Sequence, residues 1–418
     1  MRAVGIGAVE SRVLAFAPWL LALSLVGHFL LTALDDVQSV VDLRVYVYGA
    51  PHLLRGDLYD FTYAEFTPDF PLPFTYPPFA ALVFLPLSVL PWIVARWLWQ
   101  ALSVACLFWI VRVSLRLVRQ DTGAEGDAGV DGDTAEVWRR RAMFWTALTL
   151  WIEPVRTTLN YGQINLVLIA VLLTAMASSR SWLAGLGVGA GAGVKLTPAI
   201  SGVYFLLQRR FAAAAWSFAG FLLTVALAWL IAPTESFRYW FELLGDADRI
   251  GPVGSAINQS LRGSLTRTVH FDVETGPIFL AAAAVATALF LWAAREAVRA
   301  EDRLAALVSV QVYGLLLSPI SWSHHWVWAV PALLWLLYGR ARGQRVVVAA
   351  AVVWVLAVGS YVISFLILAQ QGDIWKIDRA WYLSALGWVY PLCGLLTLIA
   401  VAVSLRSRVR EPEVLQNS

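Results

Sequence analysis

Charged residues are scarce in this 418-residue sequence, in which Asp, Glu, Lys and Arg make up 14% and hydrophobic residues 59%. Soluble domains carry about 25% charged and about 45–50% apolar residues. So few charges cannot cover a water-exposed surface, and the composition excludes an assembly of soluble domains, a disordered chain and a collagen-like chain. It indicates a polytopic membrane protein, and the 21 Trp, 13 Tyr and 20 Phe residues suit aromatic belts at the membrane interfaces.

Cysteine and the common cofactor-binding motifs are almost absent. The two cysteines, Cys106 and Cys393, both lie in apolar runs, so neither a disulfide framework nor a cysteine metal site is expected. The nucleotide-binding patterns G-x-x-x-x-G-K-[ST] and G-x-G-x-x-G do not occur, and neither does H-E-x-x-H. An enzyme built on this chain must take an activated substrate from the membrane, and we expect no nucleotide, nucleic acid, metal or other cofactor.

Apolar runs that could span a membrane recur along the chain. A spanning helix needs about 20 residues at a rise of about 1.5 Å each. Clear runs lie at 13–34, 92–118, 211–232, 346–369 and 382–405. Shorter or interrupted runs lie at 143–155, 163–178, 182–194, 197–207, 277–294, 304–319 and 326–339. We predict one all-α domain over residues 1–418 with about 12 transmembrane helices; the first run is kept as a span because no small-residue cleavage site follows it.

Arginine clusters indicate which side of the membrane each loop occupies. Cytoplasmic loops are enriched in Lys and Arg, and Arg dominates here because the only lysines are Lys195 and Lys376. The clusters lie at 112–119, 139–141, 209–210, 295–303, 340–345 and 406–410. These segments and both termini are predicted to be cytoplasmic, with the Gly/Asp-rich stretch 120–137 as a solvated, flexible linker.

The opposite, outer side carries the longer hydrophilic segments. Residues 35–91 form an acidic first outer loop with seven carboxylates and only two arginines before its apolar part. That apolar part, 77–90, is too short to cross a bilayer and predicts a re-entrant or interfacial helix. Residues 233–276 form a second outer loop.

Six polar motifs from six separate segments all fall on this outer side. They are VDLRVY (41–46), FTYPP (74–78), NYGQIN (160–165), VKLTP (194–198), NQSLRG (258–263) and SPISWSHH (318–325). Polar groups at membrane depth are costly and usually functional. We therefore expect these motifs to form one binding or catalytic site.

Asp42 and Lys195 carry the most informative charges in these motifs. Asp42 alternates with apolar residues just beyond the first span, and a carboxylate at a membrane boundary can act as a general base toward a hydroxyl group; the alternative is a merely solvated acid. Lys195 interrupts an apolar run between glycines and Pro198, where a broken helix can line a cavity. A lysine there can neutralise a phosphate, and snorkelling to the interface is the alternative.

Two further motifs supply candidate phosphate-binding groups. Arg262, with Asn258 and Gln259 beside it, can hold phosphate oxygens in a bidentate fashion, whereas an isolated outer-loop arginine usually has no such role. His324 and His325 stand at the outer end of a span. Adjacent side chains point apart on a helix, so a proton donor or phosphate partner is a better interpretation than a metal pair; packing among neighbouring tryptophans is the alternative.

The remaining two motifs stand where apolar helices begin. Pro77 keeps Tyr76 out of the helical region, so the motif predicts a helix start that either cradles a lipid substrate or is purely structural. Gln163 and Asn165 enter an apolar run, where unpaired amides are costly. They either contribute to the site on the outer side or form hydrogen bonds between helices.

Taken in order, the motifs resemble glycosyltransferase family 87, actinobacterial multi-span enzymes of the GT-C architecture, over nearly the whole chain. The resemblance implies a mannosyltransferase that uses polyprenol-phosphate-mannose and makes α-(1→2) linkages on phosphatidylinositol mannoside, lipomannan or lipoarabinomannan. It also implies that Asp42 matches the catalytic acid of the first outer loop and that His324 and His325 match the family's HH motif. Asp36, beside Asp35, stays a possible second acid because related enzymes often use paired carboxylates.

The residues and the resemblance together predict an inverting mannosyltransferase of cell-envelope biosynthesis, in the plasma membrane with its active site on the periplasmic face. Asp42 would deprotonate the acceptor hydroxyl, while Lys195, Arg262 and a histidine hold the donor phosphate. The choice of mannose comes from the resemblance alone. A transferase for another polyprenol-phosphate sugar such as arabinose or glucose, a membrane transporter and a non-catalytic export or scaffold subunit stay open as alternatives.

Overall fold

The computed structural model describes Glu10 and residues 12–34, 40–68, 70–123, 132–369 and 377–416. Asp35, Asp36 and Asp69 lie outside the described residues, and with them the possible second acid. The described part is almost entirely helical, so the prediction of an all-α protein is confirmed. A short hairpin in the first outer loop pairs β1 (Thr62–Tyr63) with β2 (Leu72–Pro73) in antiparallel register.

The helices are numbered in chain order. Those of the first half are α1 (Ala17–Leu34), α2 (Val41–Gly49), α3 (His52–Arg55), α4 (Pro78–Ser88), α5 (Trp92–Asp121), α6 (Gly132–Thr149), α7 (Glu153–Tyr161), α8 (Asn165–Ala177), α9 (Ser181–Val194) and α10 (Ser201–Leu207). Those of the second half are α11 (Phe211–Ile231), α12 (Pro233–Phe237), α13 (Leu261–Val269), α14 (Pro277–Arg299), α15 (Arg303–Leu317), α16 (Ala329–Tyr338), α17 (Arg345–Gly359), α18 (Val362–Ala369), α19 (Trp381–Leu386) and α20 (Val389–Gln416). Thr197–Ile200 and Ser323–Trp328 are 3-10 helices, and Arg238–Leu243 is a π-helix.

Within the described part of the chain, five helices are long and apolar enough to cross a membrane: α1, α5, α11, α14 and α20. The bent pairs α7–α8 and α17–α18 raise the number of candidate spans to seven if each pair counts as one. The apolar windows of α1, α11 and α14 are each only 22% buried, which leaves most of their side chains free to face lipid. These are the features of a multi-pass membrane protein.

Several predicted spans are shorter than expected or broken. The run 346–369 bends by 42° between α17 and α18, where Tyr361 has a left-handed φ of 52° that a continuous helix does not contain. The runs 182–194, 304–319 and 326–339 form helices of 14, 15 and 10 residues, fewer than the roughly 20 of a full crossing. Hydropathy locates apolar residues, whereas these breaks depend on the backbone.

The short helix predicted in the first outer loop is α4. It has 11 residues and begins directly after Pro77, with another proline at its first position, where the missing N–H costs nothing. At about 1.5 Å per residue it extends roughly 16 Å, about half of a bilayer core. It packs against α2, α9 and α11, so it holds the first outer loop against the helix bundle.

Close packing of α9 against α11 determines where Lys195 lies. A Cβ on Gly189 would lie 2.5 Å from the backbone oxygen of Ser217, so only glycine allows this approach. α9 ends at Val194, and Lys195 itself is extended, with φ −148° and ψ 129°. The helix break expected at this position is therefore present, and it directs Lys195 away from the α9 axis.

The segment 120–137, predicted as a solvated, flexible linker, is helical at both of its described ends. α5 continues to Asp121 and α6 begins at Gly132, while residues 124–131 lie outside the described part. Asp121 is buried and accepts hydrogen bonds from Arg303 Nε (2.9 Å) and the Leu304 backbone N–H (3.1 Å). The start of this segment is packed because its carboxylate neutralises an arginine at the start of α15.

Candidate active site

Five of the six motifs meet around one cavity of about 520 Å³. The polar and aromatic residues that they contribute to its lining are Asp42 and Tyr46, Thr75 and Tyr76, Tyr161 and Gln163, Lys195 and Thr197, and Ser318, Trp322, His324 and His325. The fold thus brings groups of opposite charge and two imidazoles to one enclosed space. Such a concave site with a few convergent polar groups is the usual form of a small-molecule site.

Asp42 lies in the first turn of α2 and faces the cavity. Its Oδ2 accepts a hydrogen bond from Gln163 Nε2 at 2.8 Å. Burial raises the pKa of the Asp42 carboxyl to about 6, against the smaller opposing effects of the Gln163 hydrogen bond and the Lys195 charge. A carboxylate with such a pKa can accept a proton near neutral pH.

Gln163 is engaged at both ends of its amide. Its Oε1 accepts hydrogen bonds from the hydroxyls of Tyr76 (3.0 Å) and Tyr46 (3.2 Å), which lie 2.8 Å from each other. The residue follows Gly162, which ends α7 at a φ of +71°. A Cβ on Gly162 would lie 2.7 Å from Leu43 Cβ, so glycine is required both for the turn and for the close approach of α2.

Lys195 is 7% exposed and has no carboxylate partner among the described residues. Its Nζ donates a hydrogen bond to Asn165 Oδ1 (3.0 Å), lies 3.0 Å from His325 Nε2 and stands 5.1 Å from the centre of the Tyr76 ring. Because an ammonium group can only donate, His325 Nε2 accepts from it. Burial without a carboxylate partner is costly for an ammonium group, and an anionic ligand beside Lys195 would offset that cost.

The histidine pair lies on the 3-10 helix that begins at Ser323. Its backbone is fixed to the NYGQIN segment, since Asn165 Nδ2 donates to the His324 carbonyl at 2.9 Å. Both ring nitrogens of His324 and Nδ1 of His325 are buried and have no hydrogen-bond partner among the described residues. Buried polar atoms normally have partners, so these nitrogens, beside a cavity, are available to a ligand.

The NQSLRG motif does not reach the cavity lining, and here the predicted roles of Arg262, Asn258 and Gln259 disagree with the geometry. The Arg262 guanidinium is held by both carboxylate oxygens of Asp272, at 3.0 and 2.7 Å. Asn258 and Gln259 are fully buried, and their amides bond to backbone groups. The aspartate ten residues further on satisfies the arginine that was expected to bind phosphate.

This motif instead supports the segment that carries the histidines. Asn258 Oδ1 accepts a hydrogen bond from the Ser321 backbone N–H at 2.9 Å, and the Gln259 N–H donates to the Ser321 carbonyl at 2.7 Å. Asn258 also pairs with Trp322 in an isolated antiparallel bridge. The motif therefore fixes the backbone just before His324.

Arg249, which the sequence reasoning did not single out, lines the cavity from the second outer loop. Its guanidinium lies 5.0 Å from the centre of the Tyr59 ring and donates to the Phe74 carbonyl. The signal was present, since Arg249 is an arginine on the arginine-poor outer side and precedes Gly251 and Pro252.

A second cavity of about 360 Å³ adjoins the first. The two share lining residues Leu196, Thr197, Ser318 and His325. The remaining lining of the second cavity is mainly apolar: Leu168, Ile169, Leu172, Pro198, Ile200, Gly314, Leu315, Leu317, Val327 and Trp328, with Asn165, Gln311 and Tyr313. An apolar space thus opens beside the lysine–histidine end of the polar cavity.

The described residues contain no cluster of three or more His, Cys, Asp or Glu side chains placed to hold a metal ion. Asp42 and Lys195, the carboxylate and the amine that the motifs bring to the cavity, bond to amides rather than to each other. Proton transfer and charge stabilisation are what this arrangement can perform with its own side chains.

A multi-pass helical protein with a carboxylate, an amine and two imidazoles around one cavity has the side chains that a membrane-embedded enzyme needs for proton transfer and charge stabilisation. Comparison with known proteins identifies the kind: the profile of glycosyltransferase family 87 matches residues 74–319, and this chain belongs to that family. It is therefore a glycosyltransferase, as the motifs predicted. No solved structure matches the chain.

Named relatives cover most of the chain. It is 45% identical over 400 residues (94% of this chain, 93% of the relative) to the polyprenol-phosphate-mannose-dependent α-(1-2)-phosphatidylinositol pentamannoside mannosyltransferase of Mycolicibacterium smegmatis. A Mycobacterium tuberculosis protein of the same name is 46% identical over 372 residues (88% and 82%). A phosphatidylinositol mannoside mannosyltransferase of Mycobacterium tuberculosis, with the same donor and linkage in its name, is 33% identical over 332 residues (77% and 76%).

Proposed function

We propose that this protein transfers mannose from polyprenol-phosphate-mannose to a phosphatidylinositol mannoside in α-(1→2) linkage. The names of three relatives, two of them at 45% and 46% identity, support the donor, the acceptor class and the linkage. The observation that carries the chemistry is that Asp42 and Lys195 line one cavity without forming an ion pair. In a displacement at a sugar carbon, Asp42 is thereby available as the base for the attacking hydroxyl, and Lys195 as the cation for the departing phosphate.

In the proposed step, Asp42 is the general base. The acceptor 2-hydroxyl oxygen attacks C1 of the mannose while its proton passes to the Asp42 carboxylate, and the C1–O bond to phosphate breaks with its electron pair going to the phosphate oxygen. The configuration at C1 inverts, from β in the donor to α in the product. No metal ion, nucleotide or other cofactor takes part in this proposal.

Lys195 and the two histidines are the proposed phosphate-binding groups. Charge grows on the phosphate as C1–O breaks, and fixed positive or hydrogen-bonding groups in a low-dielectric site stabilise that charge. The unpartnered ring nitrogens of His324 beside Lys195 support this assignment. The adjoining apolar cavity is the proposed site for the first isoprene units of the donor, because it meets the polar cavity at His325.

We also propose a GT-C-type bundle of about twelve crossings, with the active site on the periplasmic face, both termini cytoplasmic and α4 as an interfacial or re-entrant helix. The short helices α9, α15 and α16 would then cross together with their neighbours rather than alone. The arginine clusters at 209–210, 295–303 and 340–345 support this orientation.

The function is tested with purified protein in lipid nanodiscs, synthetic polyprenol-phosphate-mannose and a phosphatidylinositol tetra- or pentamannoside acceptor. Mass spectrometry should find acceptor enlarged by one hexose, and an α-(1→2)-specific mannosidase should remove it. Transfer from the corresponding arabinose donor but not from the mannose donor would overturn the assignment of the sugar. Absence of transfer from both donors would contradict the proposed function.

A further inference from the structure

We propose that Gln163 is a positioning residue that acts through Asp42: its amide holds one carboxylate oxygen and leaves the other for the acceptor hydroxyl. The inference rests on the proposed function, in which Asp42 is the base. It is more specific than the two roles that the sequence left open for Gln163, a contribution to the site on the outer side or hydrogen bonding between helices. The hydrogen bonds that support it all join side chains or backbone groups of the protein itself.

The two tyrosine hydroxyls determine which way the Gln163 amide faces. Tyr46 and Tyr76 each have one hydroxyl hydrogen, and only one hydrogen can lie between their two oxygens, which are 2.8 Å apart. The remaining hydroxyl hydrogen can donate to Gln163 Oε1, which lies 3.0 and 3.2 Å from the two oxygens; a flipped amide would turn its oxygen toward the Asp42 carboxylate, which only accepts. With its oxygen so occupied, the amide presents its NH₂ group to Asp42 Oδ2 at 2.8 Å.

The backbone around Gln163 is held as firmly as its side chain. The Gln163 N–H donates to the Thr158 carbonyl at 2.9 Å, and Trp99 Nε1 donates to the Gly162 carbonyl at 2.8 Å. On the other side, Asp42 and Tyr46 stand four residues apart on α2, so their side chains share one helix face. Gln163 thus joins two elements whose relative position is fixed.

Asp42 Oδ1 has no hydrogen-bond partner among the described residues, although it belongs to a group that lines the cavity. Charged and titratable groups of the surrounding elements face the same cavity: Tyr46 of α2, Tyr76 before α4, Tyr161 of α7, Lys195 after α9, Tyr239 of the π-helix, Arg249 and Asp246 of the second outer loop, and His324 and His325. Lys195 Nζ is bonded to Asn165 and His325. The direct contact to the Asp42 carboxylate is therefore the Gln163 amide.

A hydrogen bond donated to a carboxylate favours its ionised form. Removing the Gln163 amide should raise the pKa of Asp42, so the acidic limb of the activity–pH profile should move to higher pH. Since the substrate contacts are unchanged, KM for both substrates should change little. A residue that binds substrate would instead raise KM and leave the limb in place.

The experiment compares wild type, Gln163→Leu and the matched control Gln344→Leu, whose amide bonds to the Ser404 carbonyl in the C-terminal helix rather than lining the cavity. kcat and KM are measured from pH 5 to 9 (about the range in which such groups titrate). Gln163→Leu should move the acidic limb upward by about one pH unit, a tenfold change in the ionisation constant, with both KM values within about threefold. Gln344→Leu should keep the wild-type profile.

If Gln163→Leu does not fold, a second variant tests the same proposal. Tyr46→Phe with Tyr76→Phe retains the rings but removes the hydroxyls that orient the amide, and should shift the limb in the same direction by a smaller amount. An unchanged limb in the folded variants, with or without a raised KM, would overturn the proposal.

Infrared titration of the Asp42 carboxylate, taken as wild type minus Asp42→Asn, separates this inference from the proposed function. A raised Asp42 pKa in Gln163→Leu would support the positioning role even if no mannose were transferred. Mannosyl transfer with an unaltered Asp42 pKa would leave the function standing and overturn the role of Gln163.

Discussion

Asp42 and Lys195 are opposite charges in one cavity that are each bonded to an amide rather than to each other: Gln163 holds the carboxylate and Asn165 the ammonium. A direct ion pair would consume both charges. Keeping them apart costs solvation energy that the two amides only partly offset. That arrangement suits a substrate that places a hydroxyl group at one charge and a phosphate at the other.

The pH dependence of transfer should report the ionisation of Asp42. The base must be deprotonated to act, and burial raises its pKa to about 6. Below that value kcat/KM should fall about tenfold per pH unit, and the acidic limb should level off above it. Measuring kcat/KM from pH 5 to 9 (roughly spanning that pKa) checks this, because kcat/KM reports the ionisation of the free enzyme; a flat profile between pH 5 and 7 would argue against Asp42 as the base.

Loss of the Lys195 charge should slow transfer strongly. Lys195→Met keeps the chain length but removes the ammonium group, and kcat should fall by about 10²–10³-fold, as for other groups aimed at developing charge. Arg262→Gln is the matched control, because Arg262 is paired with Asp272 outside the cavity lining. It should retain activity within about threefold, since the loss of a partly exposed ion pair costs little.

Equal losses in the Lys195→Met and Arg262→Gln variants would contradict this division of roles. Such a result would instead favour the prediction from the sequence that Arg262 binds the donor phosphate. Both variants should be compared for expression and thermal unfolding in detergent, so that a folding defect is not taken for a catalytic one.

At the scale of elements, the site depends on the contact between α2 and the end of α7. Gly162 allows it, because its φ of +71° and the missing Cβ beside Leu43 leave room for the two backbones to meet. The Val40 N–H donates to the Asn160 carbonyl across the same contact. Asp42 and Gln163 come into hydrogen-bonding distance through this contact.

Gly162→Ala should therefore weaken both the fold and the activity. The left-handed backbone alone costs about 1–3 kcal/mol for a residue with a side chain, and the added Cβ would push α2 away from Gln163. Gly202→Ala is the control, since no atom lies within 4 Å of the added Cβ in α10. Thermal unfolding and transfer assays should show losses in Gly162→Ala only; wild-type behaviour of that variant would refute the account of this contact.

The sequence allowed the charge-bearing half of the site to be predicted, but not its neighbours. Ionisable residues are energetically costly in a membrane segment or at its edge. This cost identifies Asp42, Lys195 and the histidines as candidates without knowledge of the fold. Arg262 is identified in the same way, yet its partner Asp272 is recognisable only once the loop is folded. Arg249 was missed because its position at the cavity depends on how the second outer loop packs against the first outer loop.

Helix positions were predictable from hydropathy, and the break at Lys195 from its glycines and Pro198, while two other breaks were not predictable. The 117° bend between α7 and α8 and the 42° bend between α17 and α18 lie within or beside apolar runs. Composition is similar on both sides of the 42° bend, whereas α7 is polar and α8 is apolar on the two sides of the 117° bend. The bends arise from single residues in left-handed conformations, Gly162 and Tyr361, whose backbone angles a hydropathy window does not read.

At the scale of the whole molecule, the account requires the first outer loop and the 340–345 arginine cluster to face opposite sides of the membrane. Arg55 and Arg342 are both exposed and lie in these two regions. In a chain with Cys106 and Cys393 replaced by Ser, a cysteine at position 55 should react with a membrane-impermeant maleimide on intact cells. A cysteine at position 342 should react only after permeabilisation; the reverse pattern would invert the topology and the site with it.

The most direct measurement of the central claim is transfer by wild type and Asp42→Asn under identical conditions. The substitution is nearly isosteric and removes the base while leaving the cavity its shape, so mannose transfer from polyprenol-phosphate-mannose to the glycolipid should fall by at least about 10²-fold, with expression and thermal unfolding unchanged. The product of the wild-type enzyme should carry one new α-(1→2)-linked mannose. A folded Asp42→Asn variant that transfers mannose at the wild-type rate would contradict the account.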